Sequence, residues 1–186
     1  LAPAVFMSPA RPVAGEAWVD VLDVGQGLAV LVRTAGHTLL YDSGPQYSAD
    51  SNAGQRVVVP YLRALGVSRL DTLVISHRDK DHAGGVNAVR DYLPVGRSLS
   101  SIEEPDYEPC TAGQGWSWDG VGFSLPHPEA AAYSARSKKS NAMSCVLRVE
   151  ASGSSMLLTA DIEAADETAL RRRALSALRS SVLLVP

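Results

Sequence analysis

The sequence predicts an α+β fold, an αββα sandwich in which two mixed β-sheets pack together with helices outside. Two observations carry this. The order of patterns is strands, helix, strand, helix, strands, helix, strand. The first strands follow one another across short turns, as in an antiparallel meander rather than a βαβ unit. No internal repeat and no domain boundary is visible after about residue 15, so residues 16–186 read as one domain behind a linker, residues 1–15.

"AWVDVLDV" (residues 17–24) alternates, with Trp18, Asp20, Leu22 and Val24 on one face. "GQG" (25–27) is a turn signal, and "LAVLVR" follows as the hairpin partner. "AGHT" (35–38) is a second turn, before a third strand "LLYD" that ends at Asp42. "VPYLRALG" (59–66) is helical, with Pro60 in a first turn and Gly66 as the stop. "LDTLVIS" (70–76) is a largely apolar strand, and "GGVNAVRDYL" places Val86, Val89 and Leu93 at helical spacing. Residues 94–139 are rich in Gly, Pro and Ser and hold at least one hairpin, around "WSWDGVGFSL" (116–125). Strands "SCVLRVE" and "SMLLTA" follow across the turn "ASG". A helix over residues 163–179 should turn Ala165, Leu170, Leu175 and Leu178 inward, and the apolar "SVLLVP" ends the pattern as a strand.

Composition narrows the function classes. Hydrophobic residues make up 46% of the 186, as in an ordinary folded domain. The net charge of −3 means that any nucleic-acid contact must rest on a local basic patch. No stretch approaches the roughly 18–20 apolar residues that a membrane span needs. The opening "LAPAVFMSPARPVAGEA" has no basic segment ahead of an apolar core, so it reads as a linker from something longer and not as a signal peptide. The two cysteines, Cys110 and Cys145, form no CxxC pair, which argues against a thiolate zinc site. Alone they leave two alternatives, buried free thiols or one disulfide.

The densest chemistry is in "TLVISHRDKDHAGG" (72–85). A buried strand runs into two histidines and two aspartates within six positions, His77, Asp79, Asp81 and His82. His77 and Asp79, two residues apart at a strand end, can converge on one ion. Asp81 and His82 are neighbours on the turn into a helix, so their side chains can diverge from the first pair toward a second ion. Two ions roughly 3.5–4 Å apart clamp both oxygens of an in-line displacement and activate water. Gly84 and Gly85 leave room for close approach.

"SHRDKDHAGG" resembles the signature loop of the metallo-β-lactamase superfamily, His-x-His-x-Asp-His, with Asp79 at the second histidine. "YDSG", with Asp42, and "LLTAD", with Asp161, follow the superfamily's motif order. More narrowly, "VLDVGQG", "NAMSCVL", "PCTAGQGWSWDGVGF" and "LPHP" resemble the C-terminal domains of the ComEC family, DNA-internalisation channels of natural competence. The resemblance covers nearly all the chain from Trp18 onward. It implies a metallo-β-lactamase-like fold and a metal-dependent DNA nuclease that degrades the strand not imported. It also implies a bacterial inner-membrane parent that continues into a transmembrane channel, with this domain facing the periplasm. The partner it implies is DNA, as a single strand, and no soluble protein partner is inferred.

By the same resemblance, His77, Asp79 and Asp161 form a first metal set with Asp161 bridging, and Asp81 and His82 a second. Asp81 would also orient or deprotonate the water. Asp79 in place of histidine moves the preference among two divalent ions toward manganese, with zinc or magnesium also compatible. Asp42 would hydrogen-bond the ligand loop. No histidine stands near Ser140 or Asn141, where the superfamily has one, so Asn141 and Ser144 are the candidate supports. Arg78 and Lys80 alternate with the ligands and, with Lys138 and Lys139, are candidates for phosphate contacts. Arg136 belongs to the same basic run. Arg171, Arg172 and Arg173 read as the outer face of a helix, His127 as a surface histidine and His37 as a turn residue. Cys110 and Cys145 would pair as a disulfide. The family continues beyond "LLVP" with a His-His-Gly-Ser segment. A chain truncated before that last motif is expected to lack a ligand at the second metal and to lack the ions themselves.

Overall fold

The computed structural model describes residues 9–135 and 139–185. Chain entry is a meander, β1 (Trp18–Val21), β2 (Val30–Arg33) and β3 (Thr38–Tyr41). A small hairpin follows, β4 (Gln46–Ser48) and β5 (Ser51–Asn52), and then a π-helical turn (Gly54–Val58) that runs straight into α1 (Val59–Ala64). β6 (Leu70–Ile75) leads through the short helix α2 (Lys80–Ala83) and α3 (Val86–Tyr92) to β7 (Val95–Ser100) and β8 (Glu108–Pro109). β9 (Gly115–Trp118) and β10 (Val121–His127) make the expected hairpin. β11 (Val146–Ala151), β12 (Ser154–Leu158), α4 (Ala164–Leu178) and β13 (Val182–Leu184) complete the chain.

The strands form two sheets, β1-β2-β3-β6-β7-β8 and β13-β12-β11-β10-β9. In the first, β1, β2 and β3 pair antiparallel, and the rest pair parallel, β3–β6 and β6–β7 across helical connections and β7–β8 across a loop. In the second only β12 and β13 are parallel. Strand alternation builds the layers. Val30, Val32, Leu39, Tyr41 and Val74 of the first sheet meet Phe123, Leu125, Leu147 and Leu158 of the second. The alternating residues Leu31, Leu40, Leu73 and Ile75 face Leu62 of α1 and Val89 of α3. That two-sided burial explains why the central strands read as continuous apolar runs. Leu157 and Val146 of the second sheet take Leu170 of α4 and Ile162. The architecture is the expected αββα sandwich.

Some local expectations change. β7, "VGRSLS", is an inner strand of the first sheet in a segment expected to be mostly loop; its polar Ser100 is buried and donates its hydroxyl to Ile75 O at 2.7 Å. On α4, Leu170 is buried and Leu178 packs inward, but Ala165 is exposed and Leu175 is 61% exposed. The backbone leaves helical geometry at Ala174 (φ −137°, ψ 35°), which breaks the face that ideal periodicity projects. Part of the expected linker is attached to the fold. Arg11 donates to Thr34 O, Gly15 N–H to Asp119 O at 2.7 Å, and Pro12 is buried.

Asp119, in the β9–β10 turn, ties that hairpin to the β2–β3 turn. Its Oδ2 accepts from Thr34 Oγ1 at 2.6 Å and Gly36 N–H at 2.7 Å, and lies 3.0 Å from His37 Nδ1. Those bonds, first His37, then Thr34 and Gly36, hold its carboxyl down at about 2. A carboxyl depressed by folding stabilises the protein above its unfolded pKa, and that stability is lost as pH falls through the folded value. The urea midpoint of the native protein should therefore fall between about pH 4 and pH 2 more steeply than that of Asp119→Asn, which should start lower at pH 5. Parallel curves for the two proteins would show that the clamp contributes nothing.

Candidate metal centre

The site forms where β3 and β6 end side by side. Tyr41 pairs in register with Val74, so Asp42 and Ser76 emerge together. Asp42 turns off the strand with φ 58°, a conformation that Asp tolerates better than most residues, and its N–H donates to Val74 O at 2.8 Å. Its fully buried carboxylate accepts Ser76 N–H at 2.7 Å and Ser76 Oγ–H at 2.8 Å. The same Oδ2 takes His82 Nδ1 at 2.8 Å. With Nδ1–H donated to Asp42, His82 turns Nε2 toward Asp161.

His77 follows Ser76 and is fully buried. Its Nδ1 lies 2.9 Å from Ser76 Oγ and 3.4 Å from Ser144 Oγ. Asp79 begins α2 in an extended conformation, and one turn later His82 lies 4.2 Å from the His77 ring, centroid to centroid. Asp161 arrives from the other sheet, three residues past the end of β12. Its Oδ1 is 3.1 Å from His82 Nε2. Ligand atoms of His77, His82 and Asp161 all lie within 4.8 Å of one another. His77 Nε2 and Asp161 Oδ1 are buried and have no hydrogen-bond partner among the described residues.

Burial, and then the His82 charge, lowers the His77 pKa against the opposing charges of Asp42, Asp161 and Asp79. Burial also acts to lower His82, but the Asp42 hydrogen bond, with the charges of Asp42, Asp161 and Asp81, outweighs it and pushes His82 up to about 9. A pocket that leaves one imidazole neutral and surrounds the other with carboxylates is built to hold positive charge. Two imidazole nitrogens and a carboxylate oxygen, two of them buried atoms without a hydrogen bond among the described residues, fit a divalent cation.

The other site residues fall into place around this group. Asp79 and Asp81 are half-buried, with Asp79 Oδ2 3.6 Å from His77 Nε2 and Asp81 Oδ2 4.0 Å from His82 Nε2. The grouping thus differs from the expected division into two sets. The helical turn Lys80–Ala83 folds His82 back onto His77 instead of away from it. Ser144 reaches the site, while Asn141 supports it through its carbonyl, which accepts Ser144 N–H at 3.0 Å. Arg78 and Lys80 are exposed at the rim. Lys139 is exposed, 3.5 Å from Glu163, and Lys138 and Arg136 lie outside the described residues.

Cys110 and Cys145 are joined in a disulfide, both fully buried. His37 stacks on Trp118 and is not part of the ligand group. His127 is not a surface residue. It is buried at the end of β10, bonded to Ala142 O at 3.0 Å and 3.2 Å from an Arg173 nitrogen. Arg173 is exposed with Arg171 and Arg172, as expected of an outer helix face, and its guanidinium also reaches Pro126 O, His127 and Glu129. Ser76 was missed. Its hydroxyl lies within 3.4 Å of Asp42, His77 and His82; its place as the first residue of the motif, beside a strand-ending Asp, was the available signal. Tyr41 was missed too. Its buried hydroxyl donates to Cys145 O at 2.6 Å.

Residues 22–135 match the family profile described as the metallo-β-lactamase superfamily. The chain belongs to the metallo-β-lactamase superfamily. As a member, it is 41% identical over 170 residues, 91% of its length, to competence protein ComA of Neisseria gonorrhoeae. It is 37% identical over 158 residues, 83% of its length, to recombination protein 2 of Haemophilus influenzae. These relatives bear out the resemblance to the ComEC family. The chain spans only 23% and 19% of their lengths. Among solved structures it is similar in fold to metallo-β-lactamase SMB-1, at TM-score 0.58 and 15% identity, covering 95% of this chain and 80% of that one.

Proposed function

We propose that this metallo-β-lactamase-superfamily domain is a metal-dependent phosphodiesterase that cleaves DNA during competence uptake. The convergence of His77, His82 and Asp161, with two ligand atoms buried and without a hydrogen bond among the described residues, carries the catalytic part of this reading. The competence relatives support the DNA part.

A divalent cation bound there would supply activation of water and neutralisation of charge on a phosphoryl group. The chain's own residues do the rest. Asp42 holds His82 in one tautomer through Nδ1, and Ser76 and Ser144 steady Nδ1 of His77. Asp81, at the rim, orients the attacking water and takes its proton at a carboxylate oxygen. Arg78 and Lys80 meet phosphate oxygens without reading bases, so affinity should fall with salt. The carboxylates of Asp79 and Asp81 favour manganese, with zinc or magnesium as alternatives. The Cys110–Cys145 disulfide fits an oxidising compartment, and we place the domain on the periplasmic side of a bacterial inner membrane. Among the described residues no helix is long and apolar enough to cross a membrane.

Purified protein with manganese should degrade single-stranded DNA, and Asp161→Ala should reduce the rate by at least about a hundredfold, as expected when a metal ligand is removed. If native protein leaves DNA intact and Asp161→Ala behaves identically, the phosphodiesterase reading fails. The acidic balance of −3 favours one rival, a non-catalytic DNA- or partner-binding module. Calorimetry showing no binding of manganese or zinc would support that rival.

A further inference from the structure

Beside the metal centre, across Asp81, a groove of about 420 Å³ is lined by Gln26, Pro45, Gln46, Tyr47, Lys80 and Asp81. Gln26 and Asp81 also line the cavity of about 360 Å³ that contains His82 and Asp161, so the two spaces meet. Three chain segments form the groove, and they touch backbone to backbone. A side chain at Gly27 (φ +134°) would collide with Asp81 O, and one at Gly84 with Gln46 N. Leu28 N–H donates to Asp81 O at 3.1 Å, fixing the wall to the ligand loop.

Tyr47 is the unusual residue here. It sits on the β4–β5 hairpin and is 45% exposed, yet its hydroxyl donates to Val24 O at 2.9 Å. An exposed aromatic held at its far end offers a ring face at little further entropic cost. The Arg56 guanidinium lies over one face of the ring, 6.0 Å from its centroid, and leaves the other face for stacking. Lys80, exposed, lines the same groove. Gln46 donates its side-chain amide to Ser48 O, which braces the hairpin from within.

We propose that this groove binds an unpaired nucleobase of a single-stranded substrate, with Tyr47 as the stacking face and Arg56 and Lys80 on the flanking phosphates. The inference rests on the phosphodiesterase reading and adds strand selectivity to it. A ring face stacks on a base only when that base is not already stacked and paired in a duplex, and it does so with little regard to base identity. The cations contribute attraction to either form. Strand choice therefore lies with Tyr47, and salt dependence with Arg56 and Lys80.

The probe is fluorescein-labelled oligothymidylate, and the same strand in duplex, bound to native protein in chelator and read by anisotropy. Tyr47→Ala should weaken single-strand binding about tenfold and leave duplex binding within about twofold. Its slope of log affinity against log salt should stay native, whereas Lys80→Gln should reduce that slope by about one. Tyr47→Phe should retain single-strand binding, because it keeps the ring. The proposal is overturned if native protein does not bind the single strand, if Tyr47→Ala binds it normally, or if Tyr47→Ala loses both forms equally. Native protein that binds single strands through Tyr47 but cleaves nothing with manganese would sink the phosphodiesterase reading alone. Native protein that cleaves DNA, with Tyr47→Ala unchanged in single-strand KM, would sink the subsite alone.

Discussion

Asp42→Ala is expected to destabilise the metal-free protein by on the order of 3–5 kcal/mol. The carboxylate is fully buried and accepts Ser76 N–H and Ser76 Oγ–H besides His82 Nδ1. Removing it strands three polar groups in a place where water does not reach them. Asp42→Asn separates folding from site chemistry. Its oxygen can still accept Ser76 N–H, but its amide would face His82 Nδ1 as a donor. That pairing favours the other imidazole tautomer and places the proton on Nε2, beside Asp161. Urea denaturation should find Asp42→Asn between the native protein and Asp42→Ala. Calorimetry should find its manganese affinity lower by about ten- to a hundredfold. Native-like affinity in Asp42→Asn would mean that Asp42 does not orient a ligand.

Opening the Cys110–Cys145 bridge should cost about 3–4 kcal/mol, from the chain entropy released by a loop with a sequence separation of 35. The bridge connects the chain just past β8, in the first sheet, to the chain just before β11, in the second. Cys145 N–H donates to Ser76 O at 2.9 Å, and Tyr41 Oη–H donates to Cys145 O at 2.6 Å, so the bridge also backs the ligand loop. The Cys110→Ala/Cys145→Ala double variant should therefore unfold at clearly lower urea while keeping its metal affinity at 25 °C. An unchanged urea midpoint would rule out a stabilising role. Loss of metal binding in a fully folded variant would instead make the bridge part of the site.

The αββα order and most of the ligand types were legible because they depend on local pattern. Strand runs, turn glycines and the spacing of His77, Asp79, Asp81 and His82 are all read within a few residues. What was not legible depends on closure between distant segments. His82 joins His77 because Asp42, forty residues away, holds its Nδ1. Ser76 acquires its partners only when β3 and β6 pair in parallel. His127 is buried because Arg173 and Ala142 close over it from remote parts of the chain. β7 was hidden by its serines, since Ser100 is satisfied by a carbonyl of the neighbouring strand and not by a local turn. Leu175 failed for the opposite reason: a local break at Ala174 interrupts a regular pattern.

The backbone contacts at Gly27 and Gly84 bear on how such a domain can change. Where two main chains touch without intervening side chains, no substitution can adjust the fit by degrees. Variation is diverted to Gln26, Tyr47 and Lys80, whose side chains stand in solvent above that frame. These three positions, unlike Asp81, are thus separable from the ligand set under mutation. A laboratory library confined to those three positions should explore different strand preferences without disturbing the donor atoms beneath.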